Sequence, residues 1–138
     1  MEAVKKCCSN DGLRFTPVRR RVLEILLSTR SAMGAYDILN RLRDEGFGSQ
    51  PPIVYRALDF LVCHQFAHKI ESLNAFVACH YPGVSHSPAF FICKSCKSVN
   101  ETPKHSISGE LGSLADDANF SIECAIVEAE GLCKECQH

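Results

Sequence analysis

Hydrophobic and polar positions along this chain follow two different periods. From Thr16 to Cys63 the apolar residues recur every three or four positions, the repeat of helices with one buried face. Thr16-Pro17 reads as an N-cap followed by proline at the first helical position. The helix it opens aligns Val18, Val22, Ile25 and Leu26, with Arg19, Arg20 and Glu24 largely outside that stripe. A second helix carries Ala35, Ile38, Leu39 and Leu42, and Gly46 supplies its stop. A third begins at Pro51-Pro52 and runs to about Cys63, burying Val54, Ala57, Leu58, Leu61 and Val62. The stretch before Asp11-Gly12 can form an additional helix.

The third helix is the most informative. At about 100° per residue, Arg56 and Asp59 point almost opposite the buried stripe, with Tyr55 on its flank. A helix presenting Tyr and Arg outward, after a short helix and a Gly46-Phe47-Gly48 turn, looks like the second helix of a helix-turn-helix. His68 to Cys79 then reads as two extended runs around a Ser72–Asn74 turn, a hairpin or wing. Three helices and a wing make a winged helix, whose recognition helix enters the major groove of DNA while basic groups hold phosphates. From periodicity alone, a small helical bundle with a solvated arginine face accounts for the pattern equally well.

Beyond residue 80 the period changes. Ala89–Cys93 and Ser98–Thr102 read as short strands, and Ile107, Leu111, Leu114 and Ala115 as a helical stripe weakened by Gly109 and Gly112. Phe120, Ile122, Cys124 and Ile126 alternate with Ser121, Glu123, Ala125 and Val127, which predicts a half-buried strand. The Pro/Gly/Ser stretch YPGVSHSP marks the division. The expected organisation is α+β, with a DNA-binding winged helix-turn-helix over 1–80, a hinge over 81–88 and a small α/β dimerisation domain over 89–138. Each part is too small to be very stable alone, and the second leaves sheet edges exposed. A metal, a partner chain or both are expected, with dimerisation through the sheet.

Composition sharpens this picture. The chain has 138 residues, 46% of them hydrophobic and 22% charged, as in a soluble globular protein. Taken alone, the net charge of −1 argues against nucleic acid. It is a sum of opposites: eleven Lys and Arg against eight Asp and Glu up to His80, a net of +3, and four against eight thereafter, a net of −4. No run of apolar residues is long enough to span a membrane, and MEAVKKCCSN lacks the apolar core of a signal peptide, so a cytoplasmic location is expected. In that reducing compartment, paired cysteines are better read as metal ligands than as disulfides.

Nine cysteines are present, and four form the pairs Cys93-Lys-Ser-Cys96 and Cys133-Lys-Glu-Cys136. A C-x2-C pair brings two thiolates to one ion from a single turn, so two pairs complete a tetrahedral S4 site for structural zinc. Two reducing dithiols are the competing reading. Further candidate ligands are His68, Cys79, His80, His86 and Glu101, a mixed set with one thiolate that suits zinc better than iron or manganese. Such a site, drawing on both domains, would set their relative orientation only with metal bound. Cys63 and Cys124 read most simply as packed thiols, and nothing in the spacing of Cys7 and Cys8 assigns them a role.

The stretches LRFTPVRRRVLEIL, SAMGAYDILNRLRDEG, PPIVYRALDFLVCHQFAHKIESLNAFVAC, HSPAFFICKSC and GLCKEC together resemble the ferric uptake regulator superfamily, and most closely its zinc uptake regulator branch, over about Cys8 to Cys136. The resemblance implies a homodimeric, zinc-responsive repressor that binds palindromic double-stranded operator DNA, with two zinc ions per protomer. It implies structural zinc on Cys93, Cys96, Cys133 and Cys136, and regulatory zinc on His68, Cys79, His86 and Glu101. It puts base reading on Tyr55 and Arg56, with Arg19, Arg20 and Lys69 as candidates for phosphate contacts. Two departures stand out: there is no Cys/His-rich stretch after Cys136, and YPGVSHSP lacks the HHDH-like run of iron sensors. An iron, manganese or peroxide sensor is the alternative within the family. A zinc enzyme such as a nucleobase deaminase would need H-x-E with P-C-x2-C, and neither occurs. The apolar βαβ context of a thiol-disulfide redox protein is missing as well.

Overall fold

The computed structural model describes residues 1–47, 50–82, 89–102, 110–123 and 125–137. The chain divides into two compact units, Met1–Gly83 and Val84–His138. In the first, α1 (Glu2–Asp11), α2 (Pro17–Leu27), α3 (Ala35–Asp44) and α4 (Pro51–Cys63) precede a hairpin of β1 (Ala67–Ile70) and β2 (Ala75–Ala78). The additional helix before Gly12 is therefore present. It ends where Gly12 takes a left-handed conformation, φ 68°, and its N–H caps the Cys8 carbonyl.

The other helices begin and end for the reasons their sequences suggest. Thr16 Oγ1 accepts the Arg19 N–H at 3.3 Å, capping α2. Gly46, at φ 83°, turns the chain after α3. The core of the unit joins Val22, Leu23, Ile25 and Leu26 of α2 with Ile38, Leu39 and Leu42 of α3 and Val54, Ala57, Leu58 and Leu61 of α4. Leu23 is a core residue the predicted stripe omits; Val18, Ala35 and Val62 sit at its half-buried margin. Val4 and Cys8 bring α1 onto the same core.

The hairpin pairs Ala67 with Ala78 and Ile70 with Ala75, and Asn74 closes its turn at φ 48°. Met33 pairs with Phe76 in an antiparallel bridge, with hydrogen bonds of 2.9 and 2.8 Å, so the wing is tied to the chain that leads into α3. Helices and wing together make a winged helix rather than a plain helical bundle. Two ties brace the helices from outside. Arg21 donates from Nε and Nη2 to the two carboxylate oxygens of Glu45, the second at 2.8 Å, joining α2 to the end of α3. The Arg19 guanidinium lies 4.0 Å from the centroid of the Phe60 ring, joining α2 to α4.

The second unit holds β3 (Ala89–Cys93), β4 (Val99–Thr102), α5 (Glu110–Asp117), β5 (Val127–Gly131) and a short 3-10 turn, Lys134–Cys136. Its sheet runs β4-β3-β5, with β3 antiparallel to β4 and parallel to β5. The predicted strand over 120–127 is not formed. Residues 120–123 and 125–126 are outside any strand, with Phe120 66% and Ile126 50% exposed. A strand needs a partner for its backbone groups. Among the described residues β3 takes as its parallel partner Val127–Gly131, whose alternation of Glu128 and Glu130 with small residues disguises it. Helix α5 buries none of its residues, and Leu111 and Leu114 of the predicted stripe are exposed. Ile107 and Cys124 lie outside the described residues, as do Gly48 of the predicted turn and most of the 81–88 stretch.

Candidate metal centre and nucleic-acid interface

Because β3 and β5 are parallel, both strands leave the sheet at the same end, with Cys93 in register with Gly131. Each C-x2-C pair follows directly on one of these exits, so the two pairs arrive together. The Sγ atoms of Cys93, Cys96, Cys133 and Cys136 all lie within 4.8 Å of one another, and those of Cys96 and Cys133 are 3.7 Å apart. Four thiolates about 2.3 Å from one zinc ion in a tetrahedron would stand roughly 3.8 Å from each other. The donor set fits the ion in number and chemistry, and the Cys96–Cys133 separation already matches that spacing.

The environment of the four thiols prepares them unequally. Cys93 is buried, and its sulfur accepts the N–H groups of Cys133 and Cys96, each at 3.4 Å. These backbone donors, Cys133 first and Cys96 second, pull its pKa down to about 6. Cys96 is exposed, and the Ser98 hydroxyl is the main cause that lowers its pKa. Cys136 is pushed up to about 12, chiefly by the Cys133 sulfur beside it. Cys93 and Cys96 are thus eased toward the thiolate, while Cys136 holds its proton tightly. A divalent cation resolves that conflict.

In the first unit, His68 stands on β1 and Cys79 directly after β2; both are buried, and their ligand atoms lie within 4.8 Å of each other. The hairpin register makes this pairing possible, because His68 and Cys79 come from opposite arms. Cys79 Sγ accepts the Tyr81 N–H at 3.3 Å. In the second unit, Glu101 is half-buried on β4, opposite Phe90. His86 lies outside the described residues, and His80 is exposed.

On α4, Tyr55 is 48% exposed, and Arg56 is exposed on the side away from the core. Tyr36, at the start of α3, is 71% exposed and shares a concavity with Tyr55, Asp59, Lys69, Asn74 and Phe76. The sequence reading passed over Tyr36; the available signal was a large aromatic two residues before the Ile38 stripe and outside it. The three candidate phosphate contacts all have protein neighbours. Arg19 lies on Phe60 and donates to the Arg14 carbonyl at 2.6 Å, Arg20 is 3.9 Å from Glu24, and Lys69 is 3.7 Å from Glu71. The two ion pairs are exposed, and such pairs contribute little, so a phosphate can replace either carboxylate.

The remaining cysteines divide in an unexpected way. Cys63 is exposed, not packed, because it lies beyond Leu61 on the far side of α4 from the core. Cys8 is buried in the core, and that burial raises its pKa; Cys7 is half-buried.

Residues 10–129 match the ferric uptake regulator family. The chain is 38% identical over 133 residues to the zinc uptake regulation protein of Escherichia coli (strain K12), covering 96% of this chain and 78% of that protein. The zinc uptake regulator complexed with zinc and DNA superposes with a TM-score of 0.88 at 38% identity, over 96% of this chain and 89% of that one. The crystal structure of holo XcZur gives 0.87 at 40% identity, over 98% and 94%. The chain belongs to the ferric uptake regulator family, and these three relatives, each 38–40% identical to it, are zinc uptake regulators.

Proposed function

We propose that this protein is a zinc-responsive transcriptional repressor, not an enzyme, which binds palindromic operator DNA as a homodimer with zinc as corepressor and controls genes of zinc uptake and homeostasis. The observation that carries this reading is its likeness, across nearly the whole chain, to the zinc uptake regulator found in complex with zinc and DNA. Two zinc ions per protomer are assigned. Cys93, Cys96, Cys133 and Cys136 hold the structural ion; His68, Cys79, His86 and Glu101 hold the regulatory one. When bound, zinc supplies a four-coordinate tie among the side chains of each set.

The protein's own residues supply the rest. Residues 1–80 form the DNA-binding domain, 81–88 the hinge and 89–138 the dimerisation domain. Tyr55 and Arg56 reach base edges from α4, Tyr36 adds an aromatic from α3, and Arg19, Arg20 and Lys69 face phosphates. An apolar concavity lined by Leu111, Leu114, Phe120 and Ile122 supports dimerisation through the second unit. Among the described residues no helix is long and apolar enough to cross a membrane, in keeping with a cytoplasmic regulator. The test is operator binding by the purified protein across a buffered free-zinc series, with metal stoichiometry measured in parallel. DNA affinity should climb with free zinc while the structural ion stays bound. Affinity that ignores zinc but follows iron or manganese would overturn the zinc reading.

A further inference from the structure

The four cysteine sulfurs are not equally protected. Cys93 is 3% exposed and held by two backbone N–H donors, whereas Cys96 is exposed. Besides the Cys133 sulfur and the Ser98 backbone, the Cys96 sulfur meets the hydroxyl of Ser98, with Sγ and Oγ 3.1 Å apart. When Cys96 is a thiol its S–H donates to that oxygen; when it is a thiolate the Ser98 O–H donates to sulfur. The position of the hydroxyl is set by the backbone. Lys97 N–H bonds to the Cys93 carbonyl at 3.1 Å, Lys97 itself adopts φ 65°, and the Cys93 N–H bonds to the Ser98 carbonyl at 3.0 Å. This closed turn brings residue 98 back beside the sulfur of residue 96. Glu135, whose carboxylate is 3.8 Å from Cys133 Sγ, has no proton to offer a thiolate when ionised.

An exposed thiolate ligand is where water and protons gain access to a metal–sulfur bond. A fixed hydroxyl donor orients such a ligand and satisfies the lone pair that a proton would otherwise take. We propose that Ser98 is a positioning residue of the four-cysteine metal centre, its O–H holding the exposed Cys96 thiolate in place and slowing loss of the ion to solvent. This rests on the reading that Cys93, Cys96, Cys133 and Cys136 hold a metal.

The test uses the full chain with Cys79→Ser, so that the regulatory set offers no thiolate. Ser98→Ala and Ser98→Thr are compared with this parent. Cobalt(II) is titrated in and followed by its thiolate charge-transfer and ligand-field absorption, and zinc handover to a chromogenic chelator is timed. Ser98→Ala keeps the backbone bonds of the turn, so it should fold. It should bind cobalt about tenfold more weakly and release zinc correspondingly faster. Ser98→Thr, which restores the hydroxyl, should stay within about twofold of the parent, and the metal-free melting temperature should not change. Equal affinity in the alanine variant and the parent would overturn the proposal. So would a threonine variant as labile as alanine, or a metal-free protein destabilised in step with the lost affinity. Absence of any thiolate–cobalt absorption in the parent would overturn the metal reading itself, and this inference with it.

Discussion

The sulfurs of Cys96 and Cys133 stand 3.7 Å apart although 37 positions of sequence separate them. A contact this long in sequence and this short in space is set up by the β3–β5 pairing. Cys93→Ser removes the most buried ligand of the set and leaves three crowded thiols. The variant should lose its structural zinc and dimerise poorly or misfold. Metal content and size-exclusion mass check this; a zinc-loaded dimer would show the assignment wrong.

Cys79→Ser should separate regulation from folding. Cys79 belongs to neither C-x2-C pair, so the variant should remain a folded dimer with one zinc per protomer. Its operator binding should no longer respond to zinc. Titration of free zinc against operator affinity tests this, and a response like that of the parent would remove Cys79 from the regulatory set.

Arg56→Ala and Arg20→Ala should fail differently on DNA. Loss of a bidentate base contact costs about 1–3 kcal/mol and relaxes preference at one base pair. Loss of a phosphate contact weakens binding to all sequences alike and lowers the salt slope by roughly 1. Binding to the operator and to a scrambled duplex, each at several salt concentrations, distinguishes the two.

Leu58→Ala probes the first unit's core. The side chain is fully buried between helices, and truncating a leucine at such a site costs roughly 2–5 kcal/mol. Urea unfolding measures it; a loss well below that range would mean the neighbouring helices close over the cavity.

The Arg21–Glu45 tie gives a pH dependence of known sign. Arg21 holds the Glu45 carboxyl below the ordinary carboxylate range, chiefly through its hydrogen bond. A group whose folded pKa is depressed adds stability above its unfolded pKa, and that stability is lost as pH falls through the folded value. The gap in melting temperature between the parent and Glu45→Gln should be widest at neutral pH and close below the carboxylate range. A gap that is unchanged in acid would mean the carboxylate charge is not what ties the helices.

How far the sequence was legible depended on whether each element made its contacts locally. The buried faces of α2, α3 and α4 are set by nearby repeats, so Ile38, Leu39 and Leu42 or Val54, Ala57 and Leu58 could be read directly. The duplicated C-x2-C spacing carried the four-cysteine site in the same way. What failed was the pairing of distant strands. Phe120, Ile122 and Ile126 have the alternation of a strand but no partner among the described residues, while Val127–Gly131, with two glutamates, is the strand that β3 accepts. Cys63 was misjudged on a smaller scale, since a cysteine's usual burial says nothing about which side of a helix it occupies.

The parallel pairing of β3 and β5 also fixes an order of events in folding. A parallel pair cannot form through a tight turn; the chain must first travel through α5 and return, and closing so long a loop costs entropy before any contact repays it. The four thiols meet only when that return is complete. On the proposed assignment, metal capture by the full set is therefore a late step, one that locks a finished topology in place instead of seeding it.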